Sequence, residues 1–331
     1  MAYVLLLASF AILLAGALLF TNAVEWLGHR LSLAQGAVGS LLAAVATAMP
    51  ESLIPVIAII SGAEGSEDVA IGAIIGAPFL LGTIAMALVG TSAFLYRKRR
   101  PQGLGLNVHV PTLRRDLTFF LVFFTFGVLL GLGAPDGLEY VAAVILVIAY
   151  AVYARWTIRG GGAVQEEETL NPLILSMTKH GPPATSSVIA QIVLGLGAIV
   201  GGAHLFVHEL LEIADHLGVP ALVLALVLAP LATELPEKAN SFFWVREGKD
   251  TLALGNITGA MVFQSTLPVA IGLAFTSWAL DFFSLFAAGL GIAGGLLAIW
   301  SLQVRQRFNG VAVAIWGALW VAFVLAVVFG S

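Results

Sequence analysis

Long apolar runs separated by short polar stretches dominate this chain. Runs of about 20 apolar residues recur along its whole length, and an α-helix needs this length to cross about 30 Å of hydrocarbon. The first run lacks a positively charged start and continues past Phe20, which favours a retained span over a cleaved signal peptide. The pattern predicts ten transmembrane helices, over 3–27, 31–60, 69–96, 117–133, 138–156, 187–213, 219–245, 251–277, 282–303 and 310–330.

The composition agrees with a membrane protein. Of the 331 residues, 60% are hydrophobic and only 10% are charged, whereas about a quarter of the residues of a soluble protein are charged. The chain has no cysteine, which excludes disulfides and thiolate metal sites. We expect an all-α polytopic protein that contacts the lipid bilayer, binds no nucleic acid and is a monomer.

The basic residues predict the orientation of the chain. Fourteen of the fifteen Lys and Arg fall at alternate helix ends, including RKRR at 97–100, and acidic stretches such as GAEGSED at 62–68 occupy the opposite ends. Because Lys-rich and Arg-rich loops stay in the cytoplasm, we expect a multi-pass protein of the plasma or inner membrane with both termini outside. We interpret RKRR as a topology signal, with binding to anionic lipid as the alternative.

The sequence contains an internal repeat. Residues 16–51 align without a gap to 202–237, and VAIGAIIGA at 69–77 matches LALGNITGA at 252–260. We call these segments the first copy and the second copy. Five predicted helices separate them, an odd number, so the second copy has inverted topology, as in many secondary transporters. The expected units are a five-helix repeat over 1–156, a cytoplasmic loop over 157–186 and a second five-helix repeat over 187–331.

Each copy carries a Thr-x-x-Pro-Glu motif inside a predicted helix, Thr47 to Glu51 and Thr233 to Glu237. Proline has no N–H, so it leaves a carbonyl four residues earlier without its helical donor. Two carboxylates, carbonyls and hydroxyls form an all-oxygen set that suits Ca²⁺, and without a divalent ion the carboxylates favour protons or monovalent cations. The motifs predict the site of a cation exchanger. The alternatives are a structural network for the acids and simple backbone capping for the threonines.

The second motif also contains Glu234 and Lys238, and Lys238 is the one Lys or Arg that does not fall at an end of a predicted helix. Their i,i+4 spacing allows an ion pair on one helix face, which would leave Glu237 for the transported ion. In the alternative, Glu234 is an ion ligand and Lys238 competes with cations for the site.

At these residues the sequence resembles the cation/Ca²⁺ exchanger superfamily, specifically its sodium/calcium exchanger branch. That family has two inverted repeats, each with a G-T-S-L-P-E-like motif and then a G-N-x-x-G-S-N-like motif. Here the motifs read A-T-A-M-P-E and A-T-E-L-P-E, then G-A-I-I-G-A-P and G-N-I-T-G-A-M. The match covers about 31–85 and 217–268, and the ten-helix pattern extends it to the whole chain.

The resemblance implies alternating access, in which the first and sixth helices slide across the other eight. It also implies that Ca²⁺ is held by Glu51 and Glu237 and by the neighbouring carbonyls of Thr47 and Thr233, without a cofactor. Asn256 and Gln264 align with further cation ligands of the family, while Ala48, Glu234, Leu81, Ala73, Ala77 and Ala260 replace polar family residues. From the resemblance we therefore expect the divalent ion to exchange for Na⁺ or, with several sodium ligands missing, for H⁺.

The sixth predicted helix carries a polar face at its outer end. His204, His208 and Glu212 recur at i, i+4 and i+8, with Glu209 adjacent. We interpret them as a polar helix end, with proton coupling or a transition-metal site as the alternative, because imidazole suits such metals better than Ca²⁺. His208-Glu209 begins like the zinc motif H-E-x-x-H, but Glu212 replaces the second His. We therefore expect no enzyme, and the remaining alternatives are a proton-coupled Mn or Zn transporter and a cation channel.

Overall fold

The structure is a computed structural model, and in the residues that it describes all regular elements are helices. It describes residues 1–30, 48–133, 135, 137–159, 171–176 and 183–330, without the side chains of 49, 158, 235–237, 303 and 330. An isolated β-bridge joins Gly105 and Arg307.

The helices follow the predicted apolar runs, with several shifted ends. In chain order they are α1 Ala2–Arg30, α2 Met49–Ser61, α3 Ser66–Leu80, the π-helix π1 Leu81–Ala85, α4 Met86–Leu95, α5 Val110–Leu130, α6 Leu138–Arg159, α7 Thr185–Leu217, α8 Ala221–Arg246, α9 Asp250–Gln264, α10 Leu267–Phe275, α11 Phe282–Ala298, the π-helix π2 Ile299–Val304, and α12 Gly310–Gly330. Seven segments of this described part are long and apolar enough to span a membrane. The count of ten spans stays a prediction.

Two spans form the buried centre of the molecule. In the most apolar 18-residue stretch of each span, 94% of the residues are buried in Ser66–Leu95 and 72% in Asp250–Phe275, against 17–39% in the other five candidate spans. These two segments contain the corresponding parts of the two copies. The remaining candidate spans surround them and expose much of their apolar surface, as expected of helices that face lipid.

The two central spans run antiparallel. The guanidinium of Arg100, just past the end of the first, pairs with Asp250 at the start of the second, at 2.7 Å. At the opposite ends, the backbone N–H of Ser277 donates to the carboxylate of Glu67. Opposite directions are what an inverted repeat requires of corresponding helices.

The prediction of two continuous helices over 69–96 and 251–277 is wrong in detail. The first is widened by π1, which starts at Leu81, and the second breaks between Gln264 and Leu267. The alignment of the copies places Leu81 opposite Gln264, so both spans are irregular at the same point. Pro268 lies in the first turn of α10, where its missing N–H is tolerated although it would interrupt a continuing helix.

The long helices α1 and α7 pack together through glycines. A methyl group on Gly16 would lie 2.9 Å from the backbone nitrogen of Ile199, and one on Gly195 would lie 2.7 Å from that of Phe20. The backbones approach closely only because these side chains are absent. The side chains of α1 and α7 that pack with α2 form a hydrophobic cluster separate from the main core.

Candidate functional site

Glu51 lies in the first turn of α2. The helix begins at Met49, and Pro50 occupies its first turn, where a proline is preorganised and loses no hydrogen bond. Pro50 therefore starts this helix, and residues 31–47 are outside the described part. The positive end of the helix dipole stabilises a carboxylate in the first turn. Glu51 is buried, with 8% of its surface exposed.

A small crevice joins Glu51 to the second motif. With its open mouth it has about 190 Å³ of empty space, and it is lined by Glu51, Ile54, Ala73, Ala77, Ala229, Pro230 and Thr233. Glu51 and Thr233 are the lining residues with side-chain oxygens. One comes from each copy, so the structure brings the two Thr-x-x-Pro-Glu motifs to one place.

Close packing of α3 on α8 builds one wall of the crevice. A methyl group on Gly72 would lie 2.5 Å from the carbonyl oxygen of Leu222, and one on Gly76 would overlap that of Leu226. The Leu226 carbonyl is the one that loses its helical donor to Pro230. Gly72 and Gly76 thus allow the G-A-I-I-G-A-P motif to reach the backbone of α8. That motif presents only the methyl groups of Ala73 and Ala77 to the crevice.

The hydroxyl of Thr233 is engaged by its own helix. It donates to the carbonyl of Ala229, one turn earlier, at 3.2 Å. This bond supports the backbone-capping interpretation of the threonine hydroxyl, and it leaves the Thr233 carbonyl as the atom proposed for the ion.

A second polar group lies in the interior of the second copy. The Nζ atom of Lys238 is 3.3 Å from Oε2 of Glu234, and the amide of Gln264 donates to Oε1 of the same carboxylate at 2.9 Å. All three side chains are at most 2% exposed. The predicted i,i+4 pair is therefore formed, and it gains Gln264 as a second donor, which spacing alone does not indicate.

The other predicted site residues divide into two groups. Thr47 lies outside the described residues, and so does the side chain of Glu237, although its backbone belongs to α8. Asn256 donates to the hydroxyl of Ser241 at 3.1 Å, which links α9 to α8. The carboxylate pair Glu51 and Glu237 thus stays a prediction.

The C-terminal end of α7 holds a smaller group of polar residues than the sequence pattern suggests. His208, Glu209 and Glu212 place one potential ligand atom each within 4.8 Å of one another, in a search of the described residues. His204, one turn earlier, is exposed and is not part of this group. Helical spacing places His204 on the same face, but it does not show which side chains converge.

Comparison with known proteins identifies the family. The family model described as "Sodium/calcium exchanger protein" matches residues 1–159 and 187–329, which is most of the chain. The chain belongs to the sodium/calcium exchanger protein family. This is a family of membrane exchangers, which supports the expectation of a transporter over an enzyme.

One similar protein matches most of this exchanger's length, and another matches a shorter part of it. The putative antiporter CaxA of Alkalimonas amylolytica is 25% identical over 286 residues, which are 85% of this chain and 82% of the relative. The sodium/calcium exchanger MaX1 of Methanosarcina acetivorans is 34% identical over 98 residues, 30% of this chain and 28% of the relative.

Solved structures show the same fold. The H⁺/Ca²⁺ exchanger CAX superposes with a TM-score of 0.72 at 21% identity, covering 99% of this chain and 82% of that one. The sodium–calcium exchanger NCX_Mj superposes with a TM-score of 0.59 at 21% identity, covering 98% and 97%. At this identity the likeness concerns the fold.

Arg100 of the RKRR segment forms a buried ion pair in this exchanger, which the sequence pattern does not indicate. Arg100 is buried, and its two terminal guanidinium nitrogens donate to the two carboxylate oxygens of Asp250, at 2.7 and 2.9 Å. Gln102 and the backbone N–H of Asn107 donate to the same carboxylate. Arg100 is therefore unavailable to lipid headgroups, which corrects the alternative for this residue, whereas 97–99 are exposed. Nothing in the sequence pattern distinguishes Asp250 from other loop acids.

Proposed function

We propose that this chain is a secondary-active cation antiporter that exchanges Ca²⁺, or a similar divalent cation, for H⁺ or Na⁺ by alternating access. The observation that carries the proposal is the crevice in which Glu51 of the first copy and Thr233 of the second line one buried space. A buried acid between two transmembrane elements is costly unless a cation compensates it. In an exchanger the site always holds a cation, and the bound cation differs between the two halves of the transport cycle.

Ca²⁺ suits the chemistry of this place. It takes 6–8 oxygen ligands and accepts carboxylates and backbone carbonyls. We assign Glu51 and Glu237 as the two carboxylates and the carbonyls of Thr47 and Thr233 as further ligands. Two carboxylates balance one divalent ion, and they bind two protons or two monovalent ions in the other half of the cycle.

The polar contacts favour H⁺ over Na⁺ as the counter-ion. Glu234 already has an ammonium and an amide as partners, from Lys238 and Gln264. The amide of Asn256 is bonded to Ser241. On the α3 wall, Ala73 and Ala77 provide no side-chain oxygen. A proton needs one carboxylate oxygen, whereas a sodium ion needs several oxygens together.

The deciding experiment is Ca²⁺ uptake by proteoliposomes that contain the full chain. We expect an outward-directed H⁺ gradient to drive uptake, and a Na⁺ gradient at constant pH to drive much less. Glu51→Gln and Glu237→Gln should each reduce uptake by at least about tenfold, because the charge of the ligands sets the affinity of oxygen sites for Ca²⁺. Glu64→Gln, at an exposed loop acid, is the matched control and should transport normally.

Each other outcome has a definite meaning. Uptake driven only by Na⁺ would reverse the assignment of the counter-ion and leave the antiporter intact. Downhill Ca²⁺ flux that needs no trans cation would indicate a channel instead. Normal transport by Glu51→Gln would contradict the site.

A further inference from the structure

The C-terminal end of α7 carries a group of ligands that the crevice does not use. His208, Glu209 and Glu212 follow one another within two turns, and their nearest nitrogen and oxygen atoms lie within 4.8 Å. Nδ1 of His208 is 3.2 Å from Oε1 of Glu209. The side chain of His208 is 68% exposed, whereas that of Glu209 is 4% exposed.

Glu209 is the informative member of this group. Its Oε1 faces His208, and its Oε2 is buried without a hydrogen-bond partner among the described residues. A buried acceptor without a donor is rare in proteins and costs free energy. The neighbouring Glu212 adds a second carboxylate. The group therefore carries excess negative charge, and at least one of its acceptor atoms has no donor.

We propose that His208, Glu209 and Glu212 form a second cation site, separate from the crevice, for a late first-row divalent metal of the Zn²⁺ class. One imidazole and two carboxylates match the ligands that Zn²⁺ takes, and a site with three protein ligands leaves a fourth position to water. Ca²⁺ prefers six or more oxygens, and this group offers fewer. To bind the metal, the ligand atoms must move slightly closer to one another. The exposed side chains of His208 and Glu212 can make this movement.

The site lies where aqueous metal can reach it. The 33 residues of α7 extend about 50 Å at 1.5 Å per residue, well beyond the roughly 30 Å of hydrocarbon. The last ten residues of α7, 208–217, read HELLEIADHL and contain all of its charged side chains. This end of the helix therefore extends beyond the apolar part of the bilayer.

The first copy shows that repeat structure does not require these residues. Asn22, Ala23 and Trp26 occupy the corresponding positions. There Asn22 and Trp26 contact the backbone of residues 171–174, through hydrogen bonds of 3.1 Å from Ile174 to Asn22 and of 2.9 Å from Trp26 to Asn171. The second copy replaces this structural set with an imidazole and two acids. A ligand site accounts for that change.

The test measures binding of Zn²⁺ by calorimetry to the purified full chain in detergent. All proteins carry Glu51→Gln, so that the crevice contributes little. We expect one Zn²⁺ site in this parent, weakened at least tenfold by His208→Asn and by Glu209→Ala, which restore the first-copy residues. His109→Asn removes an exposed histidine elsewhere and should bind Zn²⁺ like the parent. Ca²⁺ should not compete at equal concentration.

Binding by His208→Asn and Glu209→Ala with the parent's affinity would overturn the proposal, as would a parent that binds no Zn²⁺. If Glu209→Ala does not fold, His208→Asn decides, because its side chain is exposed. Since the measurement is binding and not transport, its outcome is independent of whether the crevice carries Ca²⁺.

Discussion

At the scale of single residues, the pair Glu234 and Lys238 distinguishes the two halves of this exchanger. The first copy has Ala48 and Ser52 at the same positions and Leu81 opposite Gln264. The second copy thus contains the ion pair and its amide partner, and the first copy contains none of the three residues. Removing one partner of a buried pair leaves an uncompensated charge, which costs far more than removing both.

This asymmetry predicts a strong coupling between the two substitutions. Lys238→Ser alone should lower stability by about 3 to 5 kcal/mol, the usual cost of breaking a buried pair. The double variant Glu234→Ala/Lys238→Ser, which reproduces the first copy, should recover most of that loss. Thermal unfolding of the purified proteins in detergent measures both effects. Additive losses in the double variant would show that the two side chains do not act as a pair.

The residue scale also shows what spacing can and cannot predict. The i,i+4 separation predicted the contact of Lys238 with Glu234, because neighbouring positions on one helix face depend only on helix geometry. Gln264 lies 30 residues further on, and its contact depends on how α9 packs on α8. For the same reason the sequence could not indicate that His204 stays outside the group of His208.

At the scale of elements, Arg100 joins the loop after α4 to the start of α9, together with Gln102 and the backbone N–H of Asn107. Arg100 donates to both oxygens of Asp250, and its side chain and that of Asp250 are 0% exposed. It also donates to the backbone carbonyls of Gly103 and Gly105. Its neighbours at 97–99 are exposed. The four basic residues of RKRR therefore divide into three that face outward and one that holds the loop.

We expect substitutions of Arg100 and of the exposed Arg99 to differ in their effect on the free energy of unfolding. Arg100→Gln should lower the free energy of unfolding by about 3 to 5 kcal/mol, because it leaves Asp250 buried and unbalanced. Arg99→Gln is the matched control and should change it by less than about 0.5 kcal/mol, as surface substitutions usually do. Denaturant unfolding in detergent compares the two. Equal losses would contradict the assignment of Arg100 as the anchoring residue.

The elements themselves were partly predictable. Apolar length predicted the helices, but it did not reveal π1, which leaves no mark in the run of apolar residues. The break at Ser265 and Thr266 falls on the short polar stretch Gln264 to Thr266, and such a stretch can also lie inside a continuous helix. Pro268 was visible in the sequence, yet a proline can kink a helix or begin a new one. Which of these occurs depends on neighbouring helices.

At the scale of the whole molecule, the internal repeat was the most informative feature of the sequence. It indicated that Glu51 and the second motif would meet, and Glu51 does share a crevice with Thr233. The antiparallel course of the two central spans favours the proposed inversion. The small residues that let α3 pack against α8 beside the crevice, Gly72 and Gly76, were visible in the motif. Their function was not, because it depends on the approach of α8.

The proposed inversion makes a prediction that this cysteine-free chain is well suited to test. Ala63 precedes the central span Ser66–Leu95, and Lys249 precedes its counterpart Asp250–Phe275. With inverted topology, Ala63→Cys should react with a membrane-impermeant maleimide in intact cells, and Lys249→Cys only after lysis. Lys98→Cys, at the far end of the first span, should behave like Lys249→Cys, because Arg100 and Asp250 hold those ends together.

The parent chain has no cysteine and serves as the unlabelled control. Labelling of Ala63→Cys and Lys249→Cys from the same side would rule out the inversion. The opposite pattern, with Lys98→Cys and Lys249→Cys outside, would keep the inversion and place both termini in the cytoplasm, because the positive charges alone support the present orientation.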